Sequence, residues 1–317
     1  MTENQMTSNS LGFSKDLFIL PFDHRGSFQE KLFGIQGRKP TPQETQEIAS
    51  YKKIIFEGFK KAIEAGVPQE KGGILVDEQF GTEILKEAQK LGFMTACPTE
   101  KSGQDEFDFE YGSEFGRHLS QLNPTFVKAL VRYNPESDPS LNLRQCQKLK
   151  TLSNYCHQHH HKFMFELLVP ATSQQLKRMN GDPSFYDREL RPSLMVEAMK
   201  QLQDSGIEPD VWKLEGIETQ NDSQKVAHQA KAGGREKVGV IVLGRGENIE
   251  KVKHWLAIAA TTPGLIGFAV GRTIFWEPLQ GVKSQRHSPS EAADQISKNY
   301  KMFCDLWISA KHSLGST

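Results

Sequence analysis

Cysteine is scarce in this chain, and what there is does not cluster. Cys97, Cys146, Cys156 and Cys304 form no CxxC pair and follow no zinc-type spacing. That pattern excludes a metal ribbon or a dithiol redox module and reads as four reduced thiols of a cytoplasmic protein. Charge of one sign is not in excess either, since 39 Lys and Arg offset 39 Asp and Glu. A chain without an overall basic field has no general grip on a phosphate backbone, so no nucleic-acid partner is expected. No apolar run approaches the roughly 20 residues of a membrane helix, so no membrane partner is expected. The opening MTENQMTSNSLG lacks the hydrophobic centre of a secretory signal, and residues 1–14 read as a disordered lead-in. A GxGxxG after the first apolar run is also missing, which argues against a dinucleotide, and no cofactor is expected.

What the chain does have is a repeated alternation. Short runs rich in Val, Ile, Leu and Phe occur at 16–26, 72–81, 92–101, 126–135, 163–171, 210–216, 238–246 and 265–273. They read as strands buried on both faces. Between them lie stretches of helical periodicity, such as ETQEIASYKKIIFEGFKKAIEAG, which sets Ile48, Ile54, Phe59 and Ile63 roughly on one side. TEILKEAQKLG, SLMVEAMKQLQDSG and NIEKVKHWLAIAATTPG follow the same plan. Strands alternating with helices predict a parallel sheet with helices outside it, and eight such units predict closure into an α/β (β/α)₈ TIM barrel. An open doubly wound sheet is the alternative. With 317 residues against about 250 for a minimal barrel, a single domain over 15–317 is expected. The stretch 288–312 reads as a closing helix anchored by Ile296, Phe303, Leu306 and Trp307.

In such a barrel the chemistry sits at the C-terminal ends of the strands. The first run ends in Asp23-His24-Arg25-Gly26, the third in Glu100-Lys101, the seventh in Gly244-Arg245-Gly246 and the eighth in Gly271-Arg272. Lys128, Glu166 and Lys213 each lie inside an otherwise apolar run. Charges there are costly unless paired or used. The structural reading is an internal ion-pair network. The functional reading is an amine that attacks a carbonyl: burial beside another cation, here Lys128, keeps Lys213 partly uncharged, and Glu166 moves protons. The two Gly-Arg pairs offer backbone amides and guanidinium forks for a phosphate. The histidines at 157, 159, 160 and 161 precede the fifth run and fall at a helix end on the opposite face, where helix-terminus contacts account for them. Cys97 reads as a small core residue. Metal-dependent cleavage would call for several histidines at strand ends, and His24 alone is found there, so no metal is expected.

At these residues a resemblance appears. DVWKLEG is similar to the lysine-bearing strand of the class I tagatose 1,6-bisphosphate aldolase group, and FDHRGSF resembles that group's first strand. FVKALVRYNP and FMFELL resemble its fourth and fifth strands, and GFAVGRTIFW its phosphate-binding eighth. LPFDHRGSF, DEQFG and VGRTIFW are most similar to the aldolase-like domain fused to 5-dehydro-2-deoxygluconokinase in bacterial inositol catabolism. The likeness covers nearly the whole chain after about residue 14. It implies a catalytic set of Asp23, Lys128, Glu166 and Lys213, with Gly271 and Arg272 as phosphate contacts. Arg25, Glu100, Gly244 and Arg245 are added as substrate or phosphate contacts from their positions. The seventh strand departs from the tagatose group by offering LGRG, so a role for Arg245 rests on the residues alone.

The expected activity is therefore a metal-independent aldehyde-lyase reaction through a lysine Schiff base. By resemblance the substrate is 2-deoxy-5-keto-gluconate 6-phosphate, giving dihydroxyacetone phosphate and malonate semialdehyde. The expected partner is a small phosphorylated sugar, with a functional link to a sugar kinase; a homo-oligomer is compatible with the sequence. The competing readings are a non-catalytic sugar-phosphate sensor on the same barrel and a sugar-phosphate isomerase or epimerase.

Overall fold

The computed structural model describes residues 10–314. Eight parallel strands run β1 (Leu17–Pro21), β2 (Gly72–Leu75), β3 (Met94–Pro98), β4 (Phe126–Arg132), β5 (Lys162–Leu168), β6 (Val211–Glu215), β7 (Gly239–Leu243) and β8 (Leu265–Ala269). Each pairs with the next, and β8 pairs with β1, so the sheet closes as the (β/α)₈ barrel and not as an open doubly wound sheet.

The surrounding helices are α1 (Pro42–Glu64), α2 (Glu78–Lys90), α3 (Phe115–Leu122), α4 (Pro139–Gln158), α5 (Ser173–Arg178) and α6 (Pro183–Glu189). They continue as α7 (Arg191–Asp204), α8 (Gln220–Lys231), α9 (Ile249–Ala260), α10 (Arg272–Lys283) and α11 (Pro289–Leu314). The start of α1 follows from its capping box: Thr41 accepts from the Glu44 amide while the Glu44 side chain accepts from the Thr41 amide. Its buried stripe is Ile48, Tyr51, Ile55, Phe56, Phe59 and Ala62, whereas Ile54 and Ile63 lie only half-buried at the margin. The closing helix takes its place as α11, with Ile296, Phe303 and Trp307 fully buried and Leu306 at the edge.

Two cores result from the period of two along the strands. The larger lies between strands and helices. The smaller fills the barrel axis with Leu17, Ile19, Phe126, Met164, Val211 and Ile241, among others. Continuing along the inward-facing positions, the apolar layer gives way to Lys128 on β4, Glu166 on β5 and Lys213 on β6. Glu166 stands opposite Lys213 in the β5–β6 register. The charged layer therefore rests on an apolar floor at the C-terminal mouth.

The lead-in expected over 1–14 is corrected at its inner boundary. Residues 1–9 lie outside the described residues, but residues 10–14 are tied to the base of the barrel. The Gly12 amide donates to Asp210 Oδ1 at 2.7 Å, and the Phe13 ring packs edge-on against Phe126 at 5.2 Å. An aromatic residue two places past a leucine was the available signal: its ring plugs the open bottom of the barrel. No helix among the described residues is long and apolar enough to cross a membrane.

Candidate active site

The mouth is organised around Lys128, 1% exposed. Its Nζ lies 2.9 Å from Asp23 Oδ2, 2.6 Å from Glu100 Oε1 and 2.8 Å from Glu166 Oε2. Burial opposes its charge, but three carboxylates outweigh that and hold the ammonium far above its ordinary range. The Asp23 carboxyl is raised by burial and lowered more strongly by Lys128 and Lys213, and it ends well below the usual carboxylate range. Glu166 balances in the same direction, whereas burial wins at Glu100 and lifts its carboxyl.

Lys213 is 3% exposed, and its Nζ lies 2.9 Å from the same Glu166 Oε2 that meets Lys128. This alters the expectation for Lys128. Rather than standing bare beside Lys213, it shares a carboxylate oxygen with it. Lys128 is therefore a fixed cation that anchors Asp23, Glu100 and Glu166, and Glu166 is the carboxylate within hydrogen-bond reach of the Lys213 amine.

Two cavities open at this layer. A larger one, about 600 Å³, extends toward the loops after β7 and β8. A smaller one, about 300 Å³, extends toward the segments after β1 and β3. His24, Ser27, Leu130, Arg132, Glu166 and Lys213 line both. Lys213 and Glu166 thus sit where the cavities meet.

The larger cavity contains the candidate phosphate loops. Arg272 starts α10, behind Gly271 at its N-terminal cap, so the first amides of that helix and a guanidinium share one place. Arg272 Nη2 donates to the Arg245 carbonyl at 2.7 Å. Gly244 lines the same wall. Arg245 has a left-handed φ of +52°, and its own charge is engaged: Nη1 lies 2.6 Å from Asp187 Oδ2 and Nε 3.2 Å from Glu215 Oε1. The structure thus brings Arg245 to the rim as a scaffold for Arg272, tied to α6, rather than as an open anion ligand. Arg25 is similarly engaged, donating to Glu110 Oε2 at 2.8 Å and to the Glu100 carbonyl. It lines the smaller cavity as a buried brace.

Several contributors were given no site role from sequence. His24 lies against both cavities, with Nδ1 4.0 Å from Asp23 Oδ1 and buried without a hydrogen-bond partner. Burial, reinforced by Arg272 and Lys213 against the pull of Asp23, lowers its pKa to about 4, so the ring is neutral near pH 7. Asp187 and Tyr186 reach the larger cavity from α6, a short helix in the β5–α7 connection that no periodicity announces. Arg132, one inward position past Leu130 and four residues past Lys128, was legible as the same face of a strand. Asp77, in the DEQFG segment after β2, is turned away from the mouth. It caps α2 by accepting from the Phe80 amide at 3.0 Å and pairs with the buried Lys52 of α1. The four histidines lie at the opposite end, as expected for a helix terminus: His159 caps α4, and His157 Nε2 stands 3.6 Å from Asp210 Oδ2. Cys97 is buried in the outer core.

The crystal structure of Cgl0159 from Corynebacterium glutamicum is similar in fold, with a TM-score of 0.53 and 18% identity, covering 90% of this chain and 85% of that one. No curated protein matches the chain by sequence. Residues 5–311 match the model of a family described as uncharacterized protein conserved in bacteria (DUF2090), and the chain belongs to that family.

Proposed function

We propose that the protein is a class I aldolase that cleaves a phosphorylated keto-sugar acid through a Schiff base on Lys213. The observation that carries this reading is the position of Lys213 Nζ: buried, 2.9 Å from Glu166 Oε2, at the junction of two cavities.

The chemistry uses the chain's own groups. Glu166 takes a proton from Lys213, and the amine's lone pair forms a C–N bond to the substrate ketone. A second N–H proton passes to the alkoxide to give the carbinolamine, and Glu166 returns its proton to that hydroxyl, which leaves as water and yields an iminium ion. A proton is then removed from the β-hydroxyl by a carboxylate of the cluster. The electrons of the bond between the α- and β-carbons flow into the iminium, an aldehyde departs, and an enamine remains on Lys213. Protonation of the enamine carbon and attack of water release the ketone product and restore the amine. Lys128 pays no part in bond making; it holds Asp23 and Glu166 in place. Arg272 and the start of α10 bind the phosphate. With the similarity to the inositol-catabolic aldolase-like domain, the favoured substrate is 2-deoxy-5-keto-gluconate 6-phosphate, cleaved to dihydroxyacetone phosphate and malonate semialdehyde.

The test is borohydride reduction in the presence of dihydroxyacetone phosphate, followed by peptide mass mapping. A stable adduct is expected on the peptide carrying Lys213, and none in Lys213→Met. Folded protein that binds the ligand yet gives no adduct at Lys213 rules out the mechanism. Adduct formation without cleavage of the sugar acid would instead identify a binding protein.

A further inference from the structure

Arg25, Arg132, Arg245 and Arg272 are the arginines that line the two cavities. Arg25 and Arg245 are tied to carboxylates. Arg132 and Arg272 have no carboxylate within 4.0 Å among the described residues. Each is steadied by one nitrogen on a loop carbonyl: Arg132 Nη1 donates to Gln104 O at 2.8 Å, and Arg272 Nη2 to Arg245 O at 2.7 Å. A guanidinium carries five N–H donors, so each keeps a fork for an anion.

Their placement gives this a direction. Arg132 ends β4 and Arg272 follows β8, and in a closed ring of eight strands these positions face each other across the mouth. Lys213, on β6, lies between them. We infer that the site takes an open-chain substrate with an anionic group at each end, and that Arg132 binds the end remote from the phosphate. That end is a carboxylate. The charged lining of the smaller cavity is mixed: Asp23, Glu30, Glu100, Glu106 and Glu166 face Arg25, Lys31, Lys101, Lys128 and Lys213 besides Arg132. Arg25, Lys101, Lys128 and Lys213 are paired to carboxylates, so the guanidinium left open for a ligand end there is that of Arg132. One planar fork suits a carboxylate's two oxygens. Arg132 is thus the residue that selects sugar acids over neutral sugars. The inference rests on the aldolase reading only for where the reacting carbon lies, and it is read out by binding alone.

Calorimetric titration with three stable probes tests it. They are 6-phosphogluconate, glucitol 6-phosphate, which lacks the carboxylate, and glucitol 1,6-bisphosphate, which replaces it with phosphate. Wild-type protein is expected to bind 6-phosphogluconate about tenfold or more tighter than glucitol 6-phosphate, the scale of one charged hydrogen-bonded pair. Arg132→Gln should erase the preference while holding glucitol 6-phosphate within about twofold. Arg132→Lys, which keeps charge but loses the fork, should retain part of it. A residue that merely braces the Gln104 loop would lower affinity for all probes alike. Equal wild-type affinities, a preference that survives Arg132→Gln, or tightest binding of the bisphosphate would each overturn the assignment. Failure to trap an adduct at Lys213 would count against the aldolase reading and leave this binding comparison standing.

Discussion

Lys128 and Lys213 are the same residue type, two strands apart, with opposite demands on them. Lys128 neutralises three carboxylates, and Lys213 shares one of those three. Lys128→Met would strand Asp23, Glu100 and Glu166 together without their cation. Removing one partner of a buried ion cluster costs about 3–5 kcal/mol, so urea unfolding should show a loss of that order. Lys213→Met leaves Glu166 its contact with Lys128, and a clearly smaller loss is expected in the same assay. Equal losses would mean that the two lysines do not divide their roles in this way. His24 allows a test by pH. Its pKa falls from 6.5 to about 4 on folding, so between those values the unfolded chain binds more protons. Its contribution to stability is fully present above pH 6.5 and is lost as pH falls toward 4. His24→Asn removes that dependence, and its melting temperature should fall less than that of wild type between pH 6.5 and 4 in calorimetry. Parallel curves would place the ring outside the buried cluster.

At the scale of elements, the proposed phosphate end depends on two loops fitting closely. Gly246 has φ +76°, and a Cβ there would come 2.8 Å from the Arg272 guanidinium. Gly271 admits no Cβ, which would meet the Pro21 carbonyl at 2.2 Å. Gly246→Ala is therefore expected to displace Arg272 without touching Lys213. Its phosphate affinity should drop about tenfold, roughly one charge-assisted contact, while near-ultraviolet circular dichroism stays close to wild type. Undiminished affinity for a sugar monophosphate would remove Arg272 from the phosphate site. α6 belongs to the same scale: through Asp187 it joins Arg245 and Arg191, so the β5–α7 connection and the β7 loop form one wall of the larger cavity.

For the molecule as a whole, the base of the barrel is closed by a polar cluster of its own. Asp210, buried at the entry to β6, accepts from the amides of Gly12 and Phe163 and pairs with Lys162 at 2.9 Å. It joins the N-terminal segment, β5 and β6 at the end of the barrel remote from Lys213. Asp210→Ala orphans two amides and a cation, and a loss of about 2–4 kcal/mol is expected in denaturant unfolding. Borohydride trapping at Lys213 in the folded fraction should persist. Loss of trapping in folded protein would show that base and mouth are coupled.

The fold was legible because its signals are local. Eight two-face apolar runs spaced by amphipathic helices leave few arrangements that bury every strand, and closure follows from having eight. The charged trio was legible for a related reason: a lysine inside an apolar strand contradicts its surroundings. The candidate phosphate loops were visible as glycine beside arginine, but not which arginine is open. Arg245 and Arg25 look like ligands in the sequence and are braces in space, because Asp187, Glu215 and Glu110 come from distant segments. The sequence by itself determined the barrel, its strand ends and the types of side chain gathered there, since periodicity and burial act within a few residues. Only the tertiary structure decided which charges cancel, which carboxylate lies between the two lysines, and which guanidinium forks face the cavities without a carboxylate partner, because partners 28 to 105 residues apart in the chain meet only when the ring closes.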